Sequence, residues 1–264
     1  MSGLRPETEL VVQQSAHAFW TINLDDPLAA APDMAGAKAS DLARAVRHGL
    51  PVPPGFVIPV QCFPRGERYR NTGELRKAWA RLSGNGARAL AVRSSSTHEE
   101  GARGRYVSAL DVKGWPEFLK AVTGVVASAT GPATTAILVQ PQLDLVSGGV
   151  LFGADPLEGR TDRVIVSAAL GGPSALRDSQ AATHYALNRR GKVVSVERDG
   201  GAPPEEPLTR PQLRTLVKLA ARAAALFGGP QEIEFGFDRE DAVWLLQTRP
   251  LSSLTLPRAR RPAS

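Results

Sequence analysis

The sequence predicts an α+β fold in two lobes, and three observations carry that expectation. Residues 231–237 alternate polar Glu232 and Glu234 with apolar Ile233, Phe235 and Phe237, the period-two signature of a strand with one buried face. Residues 208–227 instead form a long helical stretch, with Thr209 as N-cap, Pro211 in the first turn and Gly228-Gly229 as the stop. Helices and strands mix in the first half and strands dominate the second. A chain of 264 residues is long enough for one large domain or two lobes with separate cores.

Composition narrows the function classes. The single cysteine, Cys62, excludes an intrachain disulfide or a cysteine-cluster metal site and fits a reducing cytoplasm. The first fifteen residues lack a signal pattern, and no apolar run approaches spanning length, so a soluble protein without a membrane role is expected. The net charge of +6 suits an anionic ligand. Because the basic residues are scattered, and Arg258, Arg260 and Arg261 sit in a Pro-rich end, nucleotide phosphates are favoured over nucleic acid.

Taken in order, residues 19–24 form an apolar patch followed by the turn residues Asp25, Asp26, Pro27 and Pro32. Leu42, Ala45 and Val46 then recur at helical spacing and Gly49 ends the helix, which puts Lys38 at its start. A lysine beside glycine at a helix N-terminus suits a phosphate, although an exposed surface lysine is the simpler alternative. Pro51, Pro53 and Pro54 lead into a strand at 56–60, and residues 72–82 read as an amphipathic helix. Residues 90–112 read as strand, polar loop and strand, with Arg93 at the mouth and Gly101 and Gly104 in the loop. Such a loop can cover phosphates or be an ordinary surface loop. A helix at 115–127 follows, and Gly131-Pro132 marks the expected lobe boundary, giving lobes of about 1–131 and 132–252. Residues 136–140 form a buried strand whose end, at Gln140, could meet an adenine edge. Strands at 149–152, 163–170, 183–187 and 193–196 come next, the last two joined by an Arg190-Gly191-Lys192 turn. Residues 253–264 carry no periodicity and are expected to be a disordered tail.

The closing hairpin, residues 231–251, concentrates the chemistry. A two-residue loop at Arg239 and Glu240 sets Glu234 opposite Leu245 and Glu232 opposite Gln247, so Glu234 and Gln247 share a face diagonally, with Arg249 beyond them. A carboxylate and an amide oxygen can share Mg2+ while a guanidinium grips phosphate. A solvated polar face is the alternative.

Four motifs in register give the chain a resemblance to the N-terminal ATP-binding domain of the phosphoenolpyruvate synthase, pyruvate phosphate dikinase and rifampin phosphotransferase family. They are GAKASDL with GLPVPPGFVI, VRSSST with GRYVSALDV, ILVQ with SGGVLFGADPLEGR, and EIEF with LLQTRPL. The resemblance implies an ATP-grasp fold whose lobes clamp a nucleotide. It implies that Lys38, Arg93 and Arg249 contact phosphates in a catalytic role, that Gly104 and Ser108 belong to the covering loop, that Gln140 lies at the adenine hinge, and that Glu234 and Gln247 hold Mg2+. It further implies a dikinase-type kinase that splits ATP to AMP and phosphate and passes the β-phosphoryl to a carrier histidine. Because no swivelling carrier domain is present in these residues, the expected carrier is a separate protein. The competing expectation is a nucleotide-binding or regulatory module without turnover.

Some positions depart from the family pattern. Ala37 and Ala39 stand where Gly-Gly-Lys-Gly is usual, and alanine resists positive φ. The loop after Arg93 is short, Ser108 replaces threonine, and Gly172-Pro173-Ser174 stands where a Gly-Glu pair is usual. Of His17, His48, His98 and His184, the last sits in ATHYALNRR, which has a superficial likeness to a Thr-x-His carrier motif but leads straight into a strand. His98 reads more simply as a solvent-facing loop residue.

Overall fold

The structure, a computed structural model, describes residues 20–62, 73–96, 108–128, 135–179 and 182–251. The expected lobe boundary at Gly131-Pro132, Gly104 of the expected covering loop, His17, His98 and the expected tail at 253–264 lie outside the described residues. Chain contacts group the protein into two units, one of Met1–Asn23, Ala31–Ala37 and Gly55–Pro141, the other of Leu24–Ala30, Lys38–Pro54 and Gln142–Ser264.

The first unit holds a five-stranded antiparallel sheet in the order β1 (Ile22–Asn23), β2 (Phe56–Ile58), β5 (Thr135–Pro141), β3 (Leu90–Ser96), β4 (Ser108–Val112). Helices α2 (Gly73–Ser83) and α3 (Trp115–Ala127) pack on it because alternate strand residues are apolar. Leu90, Val92, Ile137 and Val139 form one core with Leu75, Trp79, Phe118 and Val122. Aromatic rings tie the two helices together, with Trp79 and Trp115 edge-on at 5.5 Å between centroids.

The second unit is a six-stranded antiparallel sheet in the order β11 (Val243–Pro250), β10 (Gln231–Asp238), β6 (Leu145–Phe152), β7 (Arg163–Leu170), β8 (Thr183–Asn188), β9 (Val193–Arg198). Its two faces differ in a way the sequence period dictates. Leu151, Val166, Tyr185, Ile233 and Phe235 are buried on one face, whereas Val150, Ser167, His184, Glu234 and Gln247 on the other are only partly covered. The long helix α5 (Arg210–Phe227) packs against β6, β10 and β11. It starts as expected at Thr209, in a capping box where Thr209 Oγ1 accepts from Gln212 N–H and Gln212 Oε1 accepts from Thr209 N–H. Gly228 closes it at φ 81°. Among the described residues no helix is long and apolar enough to cross a membrane.

Element positions largely follow the sequence pattern, with four differences. Strand β6 begins at Leu145, four residues before the expected start, β9 runs on to Arg198, and β2 stops at Ile58, with Val60–Cys62 a 3-10 turn where the strand was expected to reach Val60. The Gly172-Pro173-Ser174 segment opens a seven-residue helix, α4 (Pro173–Ser179), too short for its sequence to show a helical repeat. Helix α1 (Pro32–Arg47) starts six residues before Lys38 but is interrupted at Gly36, whose φ of 72° and ψ of 165° are not helical. Lys38 therefore does lie in the first turn after a break.

The fourth difference is the hairpin register. The loop has three residues between Asp238 and Ala242, because Asp238 Oδ1 accepts from the N–H groups of Glu240 and Ala242 and Asp241 takes φ 63°. A bulge between Glu234 and Phe235 then absorbs one more residue of β11. The expected diagonal, with Glu234 opposite Leu245, is thus corrected: Glu234 lies directly opposite Gln247 and Glu232 opposite Arg249.

Candidate functional site

The candidate residues fall on three pieces of the chain. In the second unit, β10 and β11 set the Glu234–Gln247 and Glu232–Arg249 pairs one after the other on the partly covered face. Directly opposed side chains in an antiparallel ladder have Cβ atoms about 4.5–5.5 Å apart, so two oxygens from Glu234 and Gln247 can meet one cation. Arg249 Nη2 donates to Glu232 Oε1 in a half-buried ion pair. The sequence reading missed Glu232, whose signal was available: it is the other polar residue of the alternating strand, two positions before Glu234. A guanidinium carries five N–H donors, so Glu232 orients Arg249 without exhausting it.

This hairpin is held rigidly. Gln212 at the start of α5 donates from Nε2 to Asp241 Oδ1 at 2.6 Å, pinning the turn. Trp244 Nε1 donates to Asp238 Oδ2 at 2.7 Å across it. On the outer edge of β11, Leu245 N–H donates to Pro51 O at 2.7 Å, which gives the Pro-rich turn after α1 its place. Arg222 of α5 donates to Gly49 O at 2.8 Å from the same side.

Lys38 belongs to this unit and is buried, only 7% exposed, so the surface-lysine alternative does not describe it. Among the described residues the left-handed positions that are not glycine are Asn85, Asp111 and Asp241, which leaves Ala37 and Ala39 out. Gly36 is the residue of this segment that takes a positive φ, 72°.

In the first unit, Arg93 pairs directly with Ser108 across β3 and β4, and Gln140 pairs with Ala91 two residues away across β3 and β5. Arg93, Ser108 and Gln140 thus share one sheet face, the one turned away from the core residues Leu90, Val92 and Val139. Gln140 is buried, Arg93 partly so, and Ser108 is exposed.

Mg2+ fits the hairpin by donor chemistry. It prefers hard oxygen ligands, takes one or two from protein and completes its shell with phosphate and water. Among the described residues no group of three or more His, Cys, Asp or Glu side chains is arranged to hold a metal, so a cation here would depend on ligand oxygens.

No protein-family model matches the chain. It is 26% identical to the prodigiosin synthesizing transferase PigC of Serratia marcescens over 86% of this chain and 32% of that protein. It is 31% identical to a rifampicin phosphotransferase of a Streptomyces species over 63% of this chain and 24% of that protein. It is 21% identical to a probable phosphoenolpyruvate synthase of Methanocaldococcus jannaschii over 84% of this chain and 26% of that protein. The chain spans about a third or less of the length of these relatives. Among solved structures, PH1788 of Pyrococcus horikoshii matches with a TM-score of 0.51 at 15% identity, over 92% of this chain and 96% of that one. The ATP-grasp ligase PsnB, complexed with precursor peptide PsnA2 and AMPPNP, gives a TM-score of 0.39 at 16% identity, over 87% and 53%. The resemblance carried by the sequence motifs holds, and the fold is α+β.

Proposed function

We propose, from the chain's kinship with the phosphoenolpyruvate synthase and rifampicin phosphotransferase group, that it is the ATP-binding part of a dikinase-type phosphotransferase. ATP is split to AMP and phosphate, and the β-phosphoryl passes to a carrier histidine on a separate protein. The observation that carries this reading is the hairpin register, which sets Glu234 against Gln247 and Glu232 against Arg249 on the partly covered face of the six-stranded sheet.

Glu234 and Gln247 would hold Mg2+ through their side-chain oxygens. Bound there, the ion would neutralise charge developing on phosphoryl oxygens, where most catalysis of phosphoryl transfer lies. Arg249, steered by Glu232, would grip a phosphate in a bidentate way. Lys38 and Arg93 would add positive charge to the polyphosphate, Gly104 and Ser108 would cover it, and Gln140 would meet the adenine edge.

His184 supports an acceptor elsewhere, because both of its ring nitrogens lie within hydrogen-bond distance of partners. A nucleophilic carrier nitrogen needs a free lone pair.

The test uses the full chain, Mg2+, ATP labelled at the β- or the γ-phosphate, and a carrier-histidine protein from the same cell. Acid-labile, base-stable label from β-labelled ATP alone, with AMP released, is expected. Lys38→Ala and Arg249→Ala should each abolish it. Glu234→Gln, nearly isosteric, should weaken the Mg2+ dependence of ATP binding at least about tenfold, the least that loss of even an outer metal partner costs. Unchanged Mg2+ dependence would remove Glu234 from the site. Tight ATP binding with no AMP for any carrier tried would instead favour a binding module without turnover.

A further inference from the structure

The row of side chains that includes Glu234 continues across the sheet. Glu234 lies opposite Val150, Val150 opposite Ser167, Ser167 opposite His184 and His184 opposite Glu197. Residues opposed in this way point to the same face. Ser167 is therefore two strands from Glu234, about 10 Å at the usual strand spacing, on the partly covered side.

Ser167 has a specific partner set. Its Oγ lies 2.8 Å from His184 Nδ1. His184 Nε2 lies 3.2 Å from both Oδ1 and Oδ2 of Asp199, just past the end of β9. The Ala182 N–H and then the His184 ring hold the Asp199 carboxyl below its usual range, so it is ionised at neutral pH and can only accept. Nε2 must then carry a proton. In the neutral imidazole, Nδ1 is left with a lone pair, and the Ser167 hydroxyl donates to it. His184 and Asp199 are each less than half exposed, and Ser167 is partly buried.

A cross-strand pin would need only well-packed side chains, and threonine or valine would serve. The order serine, histidine, carboxylate does more: it fixes the ring tautomer and points a base at a hydroxyl, the arrangement that makes an oxygen nucleophilic. The strand N–H groups around Ser167 are used in the ladder with β6 and β8. They leave no donor pair for an oxyanion, which argues against acyl transfer. Phosphoryl transfer needs no such pair, because cations stabilise the charge.

We propose that Ser167 is a phosphoryl-acceptor residue that takes the terminal phosphoryl group of ATP bound on the same sheet face. This rests on the nucleotide-binding reading above. The Ser167 Oγ–P bond forms as the bond from the γ-phosphorus to the bridging oxygen breaks. ADP leaves with that electron pair, and the serine proton passes to His184 Nδ1. Asp199 is a positioning residue that balances the imidazolium. The product is an internally phosphorylated chain, with a dianionic group two strands from the cation pair, where it would compete with nucleotide phosphate.

The test is incubation of the full chain with Mg2+ and γ-labelled ATP, without carrier. It is read as acid-stable label, since phosphoserine survives acid and phosphohistidine does not, and located by mass spectrometry of the peptide that begins at Val164. ATP binding is measured in parallel by equilibrium dialysis. Label at Ser167 is expected, absent in Ser167→Ala with ATP binding retained. His184→Gln should slow labelling at saturating ATP by about 100-fold or more, the usual worth of a general base, without moving the half-saturating ATP concentration. Asp199→Ala should slow it too, and Asp199→Glu should recover most of the rate. ATP bound but no acid-stable label at Ser167 overturns the proposal and leaves nucleotide binding standing. Equal rates for His184→Gln and the parent overturn the activation by His184. Failure to bind ATP removes both readings together.

Discussion

Replacing Gly36 by alanine tests whether the break in α1 is a fixed feature of the fold. The backbone there has φ 72° and ψ 165°, a region essentially restricted to glycine, where another residue costs about 1–3 kcal/mol. The added Cβ would also stand 2.1 Å from the Ser95 carbonyl oxygen and 2.4 Å from its carbonyl carbon. That carbonyl cannot retreat cheaply, because Ser95 is fully buried in β3 and pairs with Ala136 of β5. Disturbing one buried ladder bond costs about 1–3 kcal/mol. Together these give a loss of about 2–6 kcal/mol. Gly124→Ala in α3 is the control: nothing lies within 4 Å of its added Cβ, so it should gain roughly 0.5–1 kcal/mol from helix propensity. Both lie in the unit that contains Trp79 and Trp115, so urea denaturation followed by tryptophan fluorescence reads them alike. A Gly36→Ala protein within about 1 kcal/mol of the parent would refute the reasoning.

Thr209→Ala removes the capping oxygen of α5 and should cost about 1 kcal/mol in the urea midpoint, with Thr209→Ser much milder. Because Gln212 also holds Asp241, the same variant should speed amide exchange in the β10–β11 turn; unchanged exchange there would uncouple the helix start from the hairpin. Burial, followed by the hydrogen bond to Glu206, raises the Tyr185 hydroxyl above its ordinary value of 10.0. The unfolded chain then releases that proton first, so the stability tied to this group is full below pH 10 and declines as pH rises further. The difference in urea midpoint between the parent and Tyr185→Phe should shrink from about pH 9 to about pH 11, and a constant difference would contradict it.

Local periodicity made most of the fold legible. Residues 163–170 and 115–127 alternate or repeat cleanly, and their elements begin and end where the pattern does. Thr209 and Gly228 carried the ends of α5 for a local reason, since each cap is made within one turn. Where a feature depended on tertiary contact, the pattern was silent. Nothing near Pro173 signals a helix, and the Gly36 conformation is legible only once Ser95 is beside it. The hairpin face was read correctly but its register was not, because Asp238 lengthens the turn through its own carboxylate and the bulge lies on a strand that looks regular. Within the candidate site, Glu234, Gln247 and Arg249 were found on one face as expected. Glu232 was passed over because its role depends on which residue lies across from it. Arg93, Ser108 and Gln140 were picked from scattered motifs, and strand pairing puts them on one face.

The bulge also bears on how related sequences should be aligned with this one. Phe235 pairs with Leu245 and Glu234 with Gln247, so Leu246 is the surplus residue, tucked in at 6% exposure beside the fully buried Leu245. A chain lacking one residue at that point would regain an uninterrupted ladder, with its glutamine still facing its glutamate and its arginine still facing the acidic residue two places earlier. Losing a residue in the 239–241 loop would leave Asp238 facing Ala242 across a two-residue turn and keep every pair, whereas losing one inside β10, between the turn and Glu234, would shift the pairing beyond it by one and turn the glutamate to the opposite side of the sheet. Length changes only a few positions apart in this hairpin therefore have opposite consequences, and a gap opened at Leu246 or in the turn is the kind that leaves the polar face intact.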